Sequence, residues 1–154
     1  MSKKLMSVRV KQALLFLFLV SHAVSASGET TARQLALDKK FFTELNNTPP
    51  VLRDAFLEGM LNSIVTGRGV ILSSYTYQRL KKNYRLVLID RETARKNLKI
   101  TYHIYVANPN TAAMLEKNAL FEFTGQMIAY TPLNSKRDSY IFDILLEKGT
   151  VVFE

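Results

Sequence analysis

The segment FTGQMIAYTPLNSKRDSYIFDILLEKG, residues 123–149, contains two runs of alternating apolar and polar residues joined by a short turn. Alternation with a period of two is typical of β-strands that bury one face. The turn contains a proline together with Lys136 and Arg137. The segment therefore predicts a β-hairpin with basic residues at its turn.

Three more alternating runs precede this hairpin, and a helical pattern separates the third from the fourth. The predicted strands are GRGVILSSYTY (67–77), YRLVLID (84–90), KITYHIYVA (99–107), ALFEFTGQMIAY (119–130) and SYIFDILLEKGTVVFE (139–154). The intervening NPNTAAMLEKNA (108–119) predicts one short helix. The predicted order is strand, strand, strand, helix, strand, strand.

Two helices are predicted before the first strand. In TARQLALDKKFFTELNN (31–47), apolar residues recur at three, four and seven residue steps, which predicts an amphipathic helix. In TPPVLRDAFLEGMLNSIVTGRG (48–69), Thr48 is a candidate N-cap and Gly67 a candidate left-handed C-cap. The broad apolar stripe of the second helix requires another surface to lie against.

This order of elements resembles the OB-fold, a five-stranded Greek-key barrel that binds ligands over its second and third strands. TGRGVI (66–71) at the first strand and MLEKNALFEFTGQMIAY (114–130) are similar to the bacterial tRNA_anti-like group of OB domains. Asn118 stands where such domains commonly have a glycine after the short helix. The resemblance covers roughly residues 67–154, where it implies a five-stranded OB-fold-like Greek-key barrel. Together with the two N-terminal helices that precede it, the predicted fold class is mainly β with α.

The first 26 residues have the three parts of a secretory signal peptide. A basic region contains Lys3, Lys4, Arg9 and Lys11; ALLFLFLV (13–20) is apolar; and VSA ends at Ala26, a candidate cleavage position. The apolar run is short for a membrane span. We therefore expect residues 1–26 to be a signal peptide, 27–66 a helical segment and 67–154 the barrel.

Charge and cysteine content narrow the class of protein. The chain carries 21 Lys and Arg against 13 Asp and Glu, and loss of the four basic residues in the signal leaves 17 minus 13, or +4. Such a mildly basic surface favours acidic partners without demanding nucleic acid. There is no cysteine to carry a lipid or a disulfide, so we expect a soluble protein of a bacterial periplasm, with no transmembrane anchor in its mature form.

The OB-fold resemblance implies that the loops between strands one and two and between strands four and five flank the ligand. The first contains Arg79, Lys81 and Lys82, and the second contains Lys136 and Arg137. Clustered basic residues predict a groove for an anionic partner, although charged residues also simply solvate hairpin ends. A further basic stretch, DRETARKN (90–97), lies where the resemblance implies no ligand contact.

The third strand supplies candidate stacking residues. Ile100, Tyr102, Ile104 and Val106 alternate with Thr101, His103 and Tyr105, so the second set is predicted to face outward. His103 and Tyr105, alongside Tyr75 or Tyr77, then lie on the face that OB domains use for stacking bases or sugars. Tyrosines on strands also pack across neighbouring strands, which is the alternative interpretation.

Nothing in the sequence indicates catalysis. Once His22 leaves with the signal, His103 is the remaining histidine, so a His/Cys metal cluster is excluded and no cofactor is implied. The predicted function is a non-catalytic periplasmic binding or adaptor module that recognises a protein or an envelope polymer. Two alternatives are a single-stranded nucleic-acid binder and an interaction protein that docks through VLRDAFLEGMLNSIV (51–65).

Overall fold

The computed structural model of the chain describes residues 34–79, 82–108 and 116–152. The predicted signal peptide lies outside these ranges, as do residues 109–115 of the predicted short helix and residues 80–81 of the first hairpin. Among the described residues, no helix is long and apolar enough to cross a membrane.

The fold is mainly β, with one mixed sheet of six strands in the described part of the chain. The strands are β1 Gln34–Ala36, β2 Ile64–Arg79, β3 Lys82–Ile89, β4 Lys99–Val106, β5 Leu120–Pro132 and β6 Ser139–Val152. Their order is β1-β2-β3-β4-β6-β5, and β5 also pairs with β2. β4 and β6 are parallel, whereas the other pairs in this circuit from β2 to β5 are antiparallel.

The additional pairing of β2 with β5 closes the sheet into a barrel. The circuit β2-β3-β4-β6-β5 is consistent with an OB-like fold. The number of strands differs from the predicted five, because β1 adds a sixth strand that runs parallel to the start of β2. Asn118 has a φ of 73°, so it occupies the left-handed position at which a glycine is common.

Three helices accompany the sheet in the described residues: α1 Lys39–Asn47, α2 Pro50–Glu58 and α3 Arg91–Ala94. The prediction that one helix runs from residue 31 to 47 is wrong. Asp38 is the N-cap of α1, where its side chain accepts a hydrogen bond from Phe41 N at 3.0 Å. Residues before this cap are therefore free to pair as β1, and Leu37 N donates to Thr66 O.

The predicted ends of the second helix are also wrong. Pro49, not Thr48, is the N-cap of α2, and the Thr48 hydroxyl instead donates to Glu44 O in α1. The helix ends at Glu58, and the left-handed residue beyond it is Asn62, not Gly67. Gly67 is already inside β2, because Ile64 to Val70 pair continuously with β5.

One hydrophobic core lies inside the barrel and beneath the helices. It includes Phe41, Phe42, Leu45 and Leu57 from the helical segment. The buried strand residues of the same core are Val65, Ile71, Leu86, Leu88, Ile100, Tyr102, Ile104, Val106, Phe121, Phe123, Met127, Tyr140, Phe142 and Ile144. The apolar sides of α1 and α2 are thus partly buried by the barrel itself.

Two glycines in β2 make room for neighbouring side chains of this core. A Cβ on Gly67 would lie 2.7 Å from the ring of Phe123, and one on Gly69 would lie 3.0 Å from Leu88 Cβ. The register of β2 with β3 shifts further along the strand, between Ile71 and Ser73 and again between Thr76 and Arg79.

Candidate ligand-binding face

The outward face of the barrel is determined by the register of four strands. Tyr75 of β2 pairs with Arg85 of β3, which pairs with Tyr105 of β4. His103, two residues before Tyr105, pairs with Asp143 of β6. Directly paired residues share a face, so these side chains lie together on the side away from the core. We call the set Tyr75, Tyr77, Arg85, His103, Tyr105 and Asp143 the tyrosine face.

A cation lies over two aromatic rings on the tyrosine face. The Arg85 guanidinium carbon is 4.5 Å from the ring centroid of Tyr77 and 5.6 Å from that of Tyr75. Both distances are within the range of a cation–π contact. Tyr75 is half exposed, at 50% of its surface, and Arg85 Nε is buried with no hydrogen-bond partner among the described residues. The face therefore presents an open ring beside a fixed positive charge.

A hydrogen-bonded cluster lies next to this stack. The Tyr105 hydroxyl donates to Asp143 Oδ1 at 2.9 Å, and His103 Nδ1 is 3.3 Å from the same oxygen. Burial, followed by the hydrogen bond to Asp143, raises the pKa of Tyr105 to about 12. The phenol therefore remains a neutral donor at physiological pH.

The structure separates the two predicted stacking residues by exposure. The prediction that Ile100, Tyr102, Ile104 and Val106 face the core is confirmed, because all four are buried. His103 keeps 18% of its side-chain surface exposed. Tyr105 is only 2% exposed, because the ring of Tyr77 lies over it with centroids 5.8 Å apart. Tyr75 is the ring that a ligand reaches most readily.

Two of the basic residues predicted on the first loop, Arg79 and Lys82, lie near the tip of the β2–β3 hairpin. Arg79 and Lys82 form the last backbone pair of that hairpin, so both belong to strands. Lys82 is partly exposed, and Lys81 is outside the described residues. The connection between β2 and β3 is therefore shorter than the predicted loop of residues 77–84.

The second predicted loop is held against helix α2. Arg137 has a left-handed φ of 57°, and its Nε lies 2.9 Å from Asp54 Oδ2. Buried Arg53 donates from Nη1 to the carbonyl of Arg137 at 2.6 Å. Lys136 is exposed. Lys136 is thus the freer of the two predicted basic residues in this loop.

The two predicted loops flank opposite ends of β4. Lys99 N, at the start of β4, donates to Asp138 O of the β5–β6 loop. Tyr84, next to the β2–β3 tip, pairs with Val106 at the other end of β4. Eight extended residues span about 23 Å from first to last. A small ligand cannot contact both loops, whereas a polymer lying along β4 can.

Two members of the tyrosine face, Arg85 and Asp143, were not among the predicted site residues. The position of Arg85 could have been predicted from the alternation in β3. Because Leu86 and Leu88 are buried, Arg85 must face outward. Asp143 acquires its role from the pairing of β4 with β6, which local sequence does not reveal.

Other polar clusters in the described residues give weaker indications of a ligand site than the tyrosine face does. Among the described residues, no group of three or more His, Cys, Asp or Glu side chains is placed to hold a metal ion. A groove of about 720 Å³ beside β1 and the start of β2 contains the exposed Arg68–Glu92 ion pair, 2.8 Å long. Its charges are of both signs, which indicates no particular ligand.

No protein-family model matches the chain, and no curated protein matches it. Solved structures resemble it in part. An asparaginyl-tRNA synthetase from Entamoeba histolytica in complex with asparaginyl-adenylate is 15% identical, with a TM-score of 0.44, over 80% of this chain and 24% of that one. The chain therefore spans about a quarter of the synthetase.

Two further structures are similar over more of their own length. A candidate nucleic acid-binding lipoprotein from Klebsiella pneumoniae subsp. pneumoniae MGH 78578 is 14% identical, with a TM-score of 0.46, over 84% of this chain and 99% of that one. Yeast Stn1 and Ten1 give 12% identity and a TM-score of 0.40 over 82% of this chain and 65% of that one. The barrel is defined by its own strand order and pairing.

Proposed function

We propose that the chain is a five-stranded OB-fold binding module without catalytic activity that holds a single-stranded nucleic acid on the tyrosine face. The observation that carries this proposal is the half-exposed ring of Tyr75 beside Arg85, whose guanidinium lies over Tyr75 and Tyr77. OB-folds bind oligonucleotides and oligosaccharides on the outer face of their second and third barrel strands. In this chain those strands are β3, which contains Arg85, and β4, which contains His103 and Tyr105.

Stacking and charge act together in this proposal. Every nucleobase has a flat π-face, so Tyr75 can stack on any base. Arg85 supplies a charge of the sign that a phosphate requires, and its position over two rings keeps it in place before a ligand arrives. The net charge, +8 for the whole chain and +4 without the predicted signal peptide, favours the approach of a polyanion.

The length of the face suits a polymer. Lys82 at one end of β4 and Lys136 at the other are exposed or partly exposed, and both lie beyond the tyrosine face. A single-stranded nucleic acid that crosses Tyr75 and follows β4 would pass near both lysines. Arg79, Lys81 and Arg137 remain predicted contributors at the same two ends.

The test is fluorescence anisotropy with a labelled oligothymidylate about 12 nucleotides long, within the usual site size of an OB-fold. We expect binding that weakens steeply with salt, because phosphate contacts release counterions. Tyr75→Ala should weaken binding by about fivefold to a hundredfold, the loss of one stacked base. Absence of binding even at low salt would overturn the proposal.

A matched charge control separates stacking from general electrostatics. Arg91 is exposed on α3, away from the tyrosine face, and Arg91→Ala removes one positive charge there. This variant should bind nearly as well as the parent, whereas Arg85→Met should bind several-fold more weakly. Equal losses from both arginine variants would show that only net charge matters.

A second candidate ligand is an envelope polymer in a bacterial periplasm. The signal-peptide pattern of residues 1–26 favours it, because nucleic acid is scarce in that compartment. Sugar rings also stack on tyrosines, and acidic glycans would use the same arginine. Fractionation of cells that express the full chain tests export, and an anisotropy competition with an acidic polysaccharide tests the ligand. Export together with glycan binding and no oligonucleotide binding would favour this candidate.

A further inference from the structure

The tyrosine face contains one imidazole, that of His103, a side chain that is neutral or cationic according to whether it binds a second proton. Its Nδ1 lies 3.3 Å from Asp143 Oδ1, so this nitrogen is placed to donate to the carboxylate. The second proton of an imidazole then binds at Nε2. No hydrogen bond in the described part of the chain uses Nε2, and the side chain is partly open to solvent.

The groups around His103 come from every strand packed against it. Asp143 faces it from β6, Val87 lies opposite on β3, and Arg85 lies diagonally on the same strand. Tyr105 follows on β4 and is covered by Tyr77 of β2. Arginine side chains are always charged in proteins, and burial keeps the Tyr105 phenol neutral by raising its pKa to about 12. Protonation of His103 is therefore the event that adds positive charge to this part of the face.

We infer that His103 makes the tyrosine face bind an anionic ligand more tightly as pH falls through the range in which the imidazole becomes charged. Arg85 and His103 are diagonal neighbours on the paired strands β3 and β4, about 7–8 Å apart in the backbone, so both charges act on the same stretch of a polyanion. The charged ring offers an N–H donor at Nε2, whereas the neutral ring offers only an acceptor.

Linkage requires the effect to be mutual. If a proton on His103 strengthens anion binding, then the anion must strengthen proton binding by the same factor. This inference rests on the proposed function for the position of the ligand. It adds that the affinity of the face is controlled by pH, with one residue responsible.

The experiment measures anisotropy of the full chain with two probes, labelled oligothymidylate and labelled dextran sulfate, from about pH 5 to 8 at constant ionic strength. Neither probe changes its own charge in this range. We expect affinity for both to rise on the order of threefold to tenfold from the high to the low end, the size of one partly exposed ion contact. His103→Gln should bind with equal affinity at both ends of the range and match the parent near pH 8.

The chain offers a matched control, because its other histidine is His22, in the predicted signal peptide. His22→Gln should retain the full pH dependence. Calorimetry of the unaltered chain in two buffers with different ionisation enthalpies gives a second measurement, and we expect net proton uptake on binding. This measurement decides the matter even if His103→Gln folds poorly.

The outcomes separate the inference from the proposed function. Equal pH dependence in the parent and His103→Gln, or no proton uptake, would overturn the inference while nucleic-acid binding stands. pH-dependent binding of dextran sulfate alone, lost in His103→Gln, would support the inference and overturn the nucleic-acid proposal. Failure of both probes to bind at low pH would overturn both.

Discussion

Tyr105 shows how a residue can belong to a ligand-facing surface while contributing mainly to its rigidity. Its ring lies under Tyr77, and its hydroxyl donates to Asp143, the carboxylate that His103 also contacts. A buried hydroxyl that donates a hydrogen bond to a charged acceptor stabilises the fold more than a solvent-exposed hydroxyl does. Tyr105 therefore holds β4 to β6 beneath the exposed part of the tyrosine face.

The pKa of Tyr105 leads to a prediction about alkaline stability. Its folded value of about 12 exceeds the ordinary value of 10.0. A raised pKa means that the contribution to stability is complete below pH 10 and is lost as pH rises through about 12. Tyr105→Phe lacks this contribution, so its free energy of unfolding should be about 1–2 kcal/mol lower at pH 7 and fall less steeply above pH 10.

Urea denaturation at a series of pH values checks this prediction. Tyr75→Phe is the matched control, because it removes the hydroxyl of a half-exposed tyrosine on the same face. The control should leave both the stability at pH 7 and its alkaline decline unchanged. Identical alkaline profiles for the parent and Tyr105→Phe would contradict the assignment.

At the scale of elements, the β5–β6 hairpin depends on a glycine where its register shifts. The pairing slips between Thr124 and Gly125, and again between Met127 and Ala129. A Cβ on Gly125 would collide with the backbone carbonyl of Leu145 and lie 2.7 Å from Ile144 Cγ2. A backbone carbonyl cannot move aside as the tip of a flexible side chain can. The added Cβ would therefore force β5 and β6 apart at this point.

Gly125→Ala should therefore destabilise the chain by about 1–3 kcal/mol, the usual cost of overpacking. Gly59 is a matched control, because it has an ordinary helical φ of −63° and the nearest atom to a new Cβ would be Phe56 O at 3.5 Å. Gly59→Ala should leave stability unchanged or raise it by about 0.4–1 kcal/mol. Thermal and urea denaturation of both variants give the comparison, and a Gly125→Ala protein as stable as the parent would disprove the packing argument.

For the whole molecule, alternation in the sequence was sufficient to predict the five barrel strands, because one face of each is buried. β1 was missed because it has three residues, and Leu35 and Leu37 also fit a helical spacing. The tyrosine face was only half predicted. His103 meets Asp143 through the parallel pairing of β4 with β6, a contact across 40 residues that no local pattern specifies. Register, rather than composition, assembles the site.

Arg53 connects the helical segment to the barrel, a role that sequence alone does not indicate. The side chain is 6% exposed and donates to three carbonyls: Thr48 O at 3.0 Å, Asn46 O at 2.7 Å and Arg137 O at 2.6 Å. The first two lie at the end of α1, and the third lies in the β5–β6 loop. One buried cation therefore joins α1, α2 and the barrel.

Arg53→Met keeps much of the apolar stem but removes all three donors, so these carbonyls lose their charged partner in a poorly hydrated place. We expect the free energy of unfolding to fall by about 3 kcal/mol. Arg91→Met, at an exposed position on α3, should change it by less than about 0.5 kcal/mol. Hydrogen exchange locates the effect: in Arg53→Met, protection should fall in α1, α2 and the β5–β6 loop before it falls in β3 and β4. Uniform loss of protection throughout the chain would mean that Arg53 supports the fold as a whole rather than joining the helices to this loop.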